Sequence, residues 1–228
     1  MIIDNFGQIS KLLKFEDKDD FYFLQIIQRK KDGNDVPSAN NGYRTIRTYY
    51  IRSLEDLDRR RPAIIQLCEQ NNARAYINLN VRNAKEVALT AAKAYIDLVR
   101  EDRCDQGYRI YDHVCGKTPK QTNEKLWIVD VDTKDVKKIG KVVELICRCR
   151  SAFPIDGMIG QATRFDNLVA TIPAPHGMHI VTHRFDVMWF KNFLRSECER
   201  MFSDEEIAEI CEIKRDNPTI LFFNLCEE

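Results

Sequence analysis

The stretch Lys125 to Asp132 reads KLWIVDVD and combines the composition of a buried strand with two closely spaced carboxylates. Side chains of a strand alternate between its two faces, so we expect Asp130 and Asp132 on the same face. Two anions at this spacing repel each other unless a cation or a hydrogen-bond donor lies between them. The stretch therefore predicts either a strand that ends in a solvated polar turn or a strand that carries a cation site.

The composition is that of a soluble globular protein with one large domain or two small ones. The chain has 228 residues, of which 44% are hydrophobic and 31% charged, and its formal net charge is zero. This charge balance gives no support for attraction of the whole protein to nucleic acid, but it is compatible with a local basic groove.

The lack of a recognisable targeting signal and the spacing of the cysteines favour a cytoplasmic protein. The first residues lack the basic segment and apolar core of a signal peptide, and no apolar run approaches the roughly 20 residues that span a bilayer. The eight cysteines form no Cys-x-x-Cys pair and are too sparse for a disulfide scaffold. We therefore expect reduced thiols and no membrane association.

The first half of the chain predicts a mixed layer of strands and helices. Residues 21–28 and 44–51 are rich in aromatic and β-branched residues, which predicts a hairpin with a long loop. Ser53 is expected to cap a helix that Pro62 should kink or split. A strand over residues 74–80 should follow, and then two helices.

The polar, lysine-rich residues 116–123 predict a domain boundary. The N-terminal α/β unit, with its basic hairpin, would cover residues 1–118. A second unit would cover residues 119–228. We expect the two units to pack together.

The second unit shows the order strand, helix, strand, strand, helix, strand. The predicted elements are strand 125–132, helix 135–148, strands 168–172 and 178–182, helix 186–201, a short extra helix from Ser203, and strand 219–223. This order is the split βαβ, or ferredoxin-like (RRM-like), arrangement. The predicted fold class is therefore α+β.

The ferredoxin-like order brings polar residues from three strands to one edge of the sheet. Its first and third strands are antiparallel neighbours, and its last strand flanks the first on the other side. Asp130 and Asp132 should therefore meet His179 and Asp216. Paired carboxylates with a third nearby are the usual oxygen ligands of Mg²⁺ or Mn²⁺, and two such ions can promote nucleotidyl transfer.

These motifs resemble the archaeo-eukaryotic primase superfamily, which includes primase-polymerases. The resemblance rests on Val129-Asp130-Val131-Asp132, on Gly177-Met178-His179, and on an acidic residue before a late strand, here Asp216. Gly177 stands where many members have a serine. The chain also resembles uncharacterised phage and prophage proteins with a Trp-Ile-hydrophobic-Asp motif and an Asn-Pro-Thr segment.

The resemblance implies a nucleotide site in which Asp130, Asp132 and Asp216 hold the metal ions and His179 binds phosphate. Gly177 would let a phosphate approach the backbone closely, and Arg164 and Arg184 are expected near the same site. The segment that contains Asn80 and Arg82 looks like the strand with Asn and Arg that many members carry in the N-terminal unit.

The predicted hairpin and the helix after it are locally basic. Arginines interleave with tyrosines here, namely Arg44, Arg47, Arg52, Arg59, Arg60 and Arg61 with Tyr43, Tyr49 and Tyr50. Such a segment is typical either of a groove for a nucleic-acid backbone or of a solvated face.

Three functions agree with these features. The first is a metal-dependent nucleotidyltransferase of primase-polymerase type that acts on nucleic acid and nucleoside triphosphates. The alternative is a non-catalytic module of phage origin that binds nucleic acid or a protein such as a replication or host factor. A third is a hydrolase that uses the same carboxylates on a phosphoester.

Overall fold

The computed structural model describes residues 1–37, 42–120, 124–149, 167–198, 211–216 and 218–224. Within these ranges the protein is α+β, with antiparallel strand pairs in two sheets. The chain divides into two compact units, which we call the first unit (Met1–Thr122 with Pro218–Glu228) and the second unit (Asn123–Asn217). In the described part of the chain, no helix combines the length and apolarity that a membrane crossing needs.

The first unit is built around a six-stranded sheet. Its strands are β1 (Ile2–Asp4), β2 (Asp20–Arg29), β3 (Tyr43–Ile51), β4 (Ala73–Asn78), β5 (Arg82–Asn83) and, from the end of the chain, β10 (Pro218–Asn224). The strand order is β1-β10-β4-β2-β3, and β5 pairs with the start of β2. Its helices are α1 (Phe6–Ser10), α2 (Leu54–Gln70), α3 (Ala84–Arg100) and α4 (Ile110–Lys117).

Side-chain caps begin two helices of the first unit, and the cap at Ser53 confirms the expectation from the sequence. The hydroxyl of Ser53 accepts a hydrogen bond from the backbone N–H of Asp56 at the start of α2. The side chain of Asn83 accepts from the N–H groups of Lys85 and Glu86 at the start of α3. Pro62 lies inside α2 but does not split it, because the helix continues from Leu54 to Gln70.

The second unit contains a four-stranded antiparallel sheet and two described helices. Its elements are β6 (Trp127–Val131), α5 (Val136–Arg148), β7 (Leu168–Pro173), β8 (Met178–Thr182), α6 (Val187–Cys198) and β9 (Cys211–Lys214). The strand order is β7-β8-β6-β9. Helices α5 and α6 contribute Val142, Leu145, Ile146, Phe190 and Leu194 to the core that buries Val129 and Val131 of β6.

The prediction that residues 219–223 form the fourth strand of the second sheet is wrong. Strand β10 pairs with β1 and β4 in the first sheet, and β9 flanks β6 instead. Thr219 to Phe223 are all buried, as in a strand covered on both faces. The predicted helix at Ser203 and the candidate phosphate ligand Arg164 lie outside the described residues.

Candidate functional site

Asp130 projects from β6 on the face opposite the core of the second unit. Its neighbours Val129 and Val131 are fully buried in that core, and alternation turns Asp130 to the other face. The strand register places His179 of β8 and Glu212 of β9 directly opposite Asp130, one on each side. Three polar side chains therefore form a row across three adjacent strands.

Lys214 completes a group that we call the Asp130 cluster: Asp130, His179, Glu212 and Lys214. The ammonium nitrogen of Lys214 donates to Asp130 Oδ2 at 2.5 Å and lies 3.4 Å from Glu212 Oε2. The other oxygen, Asp130 Oδ1, lies 3.2 Å from His179 Nε2. Both carboxylate oxygens of Asp130 thus face a nitrogen.

Burial strengthens these contacts. The side chains of Asp130 and His179 are 12% and 11% exposed, whereas Glu212 is 71% exposed. Burial alone would raise the pKa of Asp130, but His179 and Lys214 outweigh it and lower that pKa to about 2. Burial alone would lower the pKa of Lys214, but Asp130 and Glu212 raise it above its usual range.

The Asp130 cluster brings two carboxylates together with two nitrogen-bearing side chains. Asp130 and Glu212 converge on one cationic group, which here is the Lys214 ammonium. His179 and Lys214 supply nitrogen donors of the kind that hold phosphate oxygens. Among the residues that the structure describes, no three His, Cys, Asp or Glu side chains lie close enough together to hold a metal ion.

Asp132 and Gly177 lie at the end of β6 nearest this cluster. Asp132 follows the last residue of β6 and is exposed. A Cβ atom on Gly177 would lie 1.9 Å from the carbonyl oxygen of Val131 and 2.7 Å from the backbone nitrogen of Thr133. The chain itself therefore requires glycine at residue 177, and a role in phosphate binding stays a prediction.

Two predicted site residues lie toward the opposite end of β6. Strand β9 runs antiparallel to β6, so Asp216 continues past Lys214 toward Trp127. The guanidinium carbon of Arg215 lies 5.5 Å from the ring centroid of Trp127, in agreement with this direction. Arg184 follows Thr182, which pairs with Trp127. The register therefore places the backbone of Asp216 and Arg184 toward Trp127 rather than beside Asp130, and a role for either residue in the site stays a prediction.

Asn80 and Arg82 belong to the first unit, and both are buried. The guanidinium group of Arg82 donates to the carbonyl oxygens of Cys115 at 2.7 Å and Asn80 at 2.6 Å. These bonds tie the segment after β4 to helix α4. Nucleotide binding by Asn80 and Arg82 stays a prediction.

Glu212 and Lys214 are the site residues that sequence reasoning missed. The segment Cys211-Glu212-Ile213-Lys214 alternates apolar and charged residues, which is the pattern of a half-buried strand. It is short and follows a charged helical pattern, whereas the apolar run at residues 219–223 is the stronger strand signal.

No known protein family, curated protein or solved structure matches this chain.

Proposed function

We propose that the protein is a nucleotidyltransferase of primase-polymerase type that acts on nucleic acid and has its active site at the Asp130 cluster. The observation that supports this proposal is the row of His179, Asp130 and Glu212 in register across three strands. The order β7-β8-β6-β9, with one helix after β6 and another after β8, supports a ferredoxin-like arrangement of the second unit.

Two neighbouring carboxylates suit the way in which Mg²⁺ or Mn²⁺ binds. Mg²⁺ in nucleotide enzymes is commonly held by one or two carboxylates together with substrate phosphates and water. Asp130 and Glu212 already share a cation, the Lys214 ammonium, and Asp132 follows at the end of the strand. A bound divalent ion would activate the attacking hydroxyl and stabilise the pyrophosphate leaving group.

The remaining members of the Asp130 cluster have roles that follow from their charge. We assign His179 and Lys214 to the triphosphate oxygens of the incoming nucleotide, because both present nitrogen donors beside Asp130. Glu212 replaces Asp216 as the proposed third carboxylate, since Glu212 pairs with Asp130 in register.

Primer synthesis and extension with Mg²⁺ or Mn²⁺ test this proposal. The full chain is incubated with nucleoside triphosphates and labelled DNA or RNA templates, and products are separated by size. We expect Asp130→Asn and Glu212→Gln each to lower the rate about a hundredfold or more. Asp216→Asn should leave the rate close to that of the wild type, and Glu144→Gln on α5 serves as a surface control.

If the wild type and Asp130→Asn form equal amounts of product, the active site does not lie at the Asp130 cluster. If Asp216→Asn greatly lowers the rate of synthesis and Glu212→Gln does not, Glu212 is not the third carboxylate.

A non-catalytic module that binds nucleic acid is the second candidate. It is favoured by the neutralisation of Asp130 by Lys214, which leaves the carboxylate with a partner and without need of an ion. This alternative expects affinity for nucleic acid, no synthesis under any metal condition, and no change in affinity when Asp130 is replaced by asparagine.

A further inference from the structure

The two faces of the first sheet carry different helices, and arginines of β3 lie on the face that carries α2. Tyr50 packs with Phe23 in the core beside α3 and α4. Its neighbour Tyr49 points to the opposite face, where the guanidinium carbon of Arg60 from α2 lies 5.3 Å from the ring centroid of Tyr49. Arg47 is two residues from Tyr49 in the same strand and therefore shares this face.

A β-bulge places Arg44 on the same face. Arg44 pairs with Gln28 and Arg47 pairs with Ile26, and the register shifts between these pairs. Residues three apart in a regular strand point to opposite faces, but the two partners on β2 are only two apart, so both arginines share a face. The side chain of Gln28 also donates to the carbonyl oxygen of Asn71 at the end of α2, in agreement with this side of the sheet.

A cleft of about 530 Å³ lies on this side, where α2 begins beside β3. Arg47 from β3 and Arg59 and Arg60 from α2 line it. Together with Arg44 they form a group that we call the arginine surface. Because the protein as a whole has zero net charge, this group is a local concentration of positive charge.

The arginine surface keeps an excess of positive charge. Asp56 is the one carboxylate among the described residues that line the cleft, and it accepts from both Arg59 and Arg60. In the part of the chain that the structure describes, neither Arg44 nor Arg47 forms an ion pair, and Arg44 donates to the amide oxygen of Gln28 at 2.9 Å. Four arginines and one aspartate therefore leave three positive charges that a ligand can neutralise.

The arrangement of these charges suits a chain of phosphates. Guanidinium groups bind phosphate oxygens through two parallel hydrogen bonds. The buried ring of Tyr49 borders both Arg47, at 5.8 Å, and Arg60, at 5.3 Å, and so holds the two side chains in place. From Arg44 to Arg47 the strand rises by about 10 Å, and the arginines of α2 extend the surface further. Such a spread fits several phosphates of one polymer better than a single phosphate group.

We infer that the arginine surface binds the phosphate backbone of a nucleic acid. The proposed function selects a nucleic acid among linear polyanions, so this inference rests on it, and the surface holds a template or primer strand on the first unit. Electrostatic binding of a backbone needs neither nucleotide nor divalent ion. Binding and synthesis can therefore be tested separately.

Fluorescence anisotropy of labelled DNA of about 20 nucleotides tests this inference. The full chain is titrated at several salt concentrations without nucleotides or divalent ions, with the DNA as a single strand and as a duplex. The triple variant Arg44→Gln/Arg47→Gln/Arg59→Gln removes three exposed charges and leaves Arg60 to pair with Asp56. For the form of DNA that the wild type binds more tightly, we expect at least about a tenfold loss of affinity and a salt slope (log affinity against log salt) shallower by about 2.

A matched control removes three charges from α3, which packs on the other face of the sheet. Lys85→Gln/Lys93→Gln/Arg100→Gln, all at exposed residues, should keep the affinity and the salt slope of the wild type. Polyglutamate serves as a competitor without phosphate. At equal total charge it should displace the labelled DNA at least about tenfold less well than unlabelled DNA does. Circular dichroism of every variant establishes that the fold is retained.

The inference is overturned if the wild type binds neither form of DNA, if the triple variant binds like the wild type, or if the α3 control loses as much affinity. Equal displacement by polyglutamate would overturn it in favour of an acidic protein segment. Asp130→Asn should bind DNA normally. If the arginine surface binds DNA but no condition gives synthesis, only the proposed function fails. If synthesis depends on Asp130 while the triple variant binds DNA normally, only this inference fails.

Discussion

Replacement of Asp130 by asparagine should destabilise the second unit by an amount that depends on pH. In the wild type, the carboxylate faces Lys214 on one oxygen and His179 on the other. Asparagine keeps the shape of the side chain but removes the negative charge. The Lys214 ammonium then stays half-buried without its closest counter-charge.

The size of this destabilisation follows from the pKa of Asp130, which falls from an ordinary 3.8 to about 2 in the folded protein. A fall of this size corresponds to about 2 kcal/mol of folding free energy at neutral pH, and we expect about 1–2 kcal/mol after allowance for solvent screening. The raised pKa of Lys214 reflects the same attraction, so the two effects are not added.

The sign of the pH dependence is set by the lowered pKa. A carboxyl of this kind contributes its full stability above its unfolded pKa and loses it as the pH falls through the folded value. About half of the contribution should be gone near pH 3. The difference between the wild type and Asp130→Asn should therefore shrink from about pH 7 to about pH 3.

Tryptophan fluorescence during urea unfolding measures this difference. Both tryptophans, Trp127 and Trp189, belong to the second unit, so the signal reports the unfolding of that unit. Glu144→Gln is the matched control, because Glu144 is 51% exposed and pairs with Lys141 and Arg148 on the surface of α5. It should change stability by less than about 0.5 kcal/mol.

A difference that stays constant across the pH range would refute this reasoning, because it would mean that the neighbours do not hold Asp130 ionised. A second measurement uses Lys214→Met alone and together with Asp130→Asn. The double variant should be more stable than the sum of the single changes predicts, since the two residues interact directly. Strict additivity would contradict the contact.

Other changes test the packing elsewhere. Gly177→Ala should cost about 2 kcal/mol or more in the tryptophan assay, because the new methyl group meets backbone atoms, whereas Gly140→Ala on α5 has open space and should be neutral or stabilising. Arg74→Ala should cost about 3–5 kcal/mol by circular dichroism, since it leaves Asp32 buried and unpaired. A double variant that also carries Asp32→Ala should recover part of that loss, and no recovery would contradict the ion pair. With iodoacetamide followed by mass spectrometry, the exposed Cys104 should react before the buried thiols, whose pKa burial raises to about 12: Cys68, Cys115 and Cys149. Equal rates would contradict this order.

Local signals in the sequence were sufficient for most individual elements. The hairpin of β2 and β3 follows from two β-rich runs, and the helix starts at Ser53, Asn83 and Asp135 follow from side chains that cap free N–H groups. The pairing of Asp130 with His179 also follows from sequence, because the order of β6, α5, β7 and β8 makes β6 and β8 antiparallel neighbours.

Tertiary structure alone decided which strand completes each sheet. The run Thr219–Phe223 is apolar at nearly every residue, which indicates a strand covered on both faces. This pattern does not indicate which of the two sheets the strand joins. Its partners β1 and β4 are far away in sequence, so only the folded chain shows that it closes the first sheet. The short alternating segment Cys211–Lys214 takes the place beside β6.

Because β9, and not β10, pairs with β6, the candidate site contains different residues from those that the sequence predicts. The sequence by itself determined the carboxylate at Asp130 and the histidine opposite it, since both follow from the order of adjacent elements. Glu212 and Lys214 entered, and Asp216 left, because the position of a side chain across a sheet depends on the register of a non-local partner strand. Strand register is a property of long-range pairing, and no local pattern in this chain encodes it.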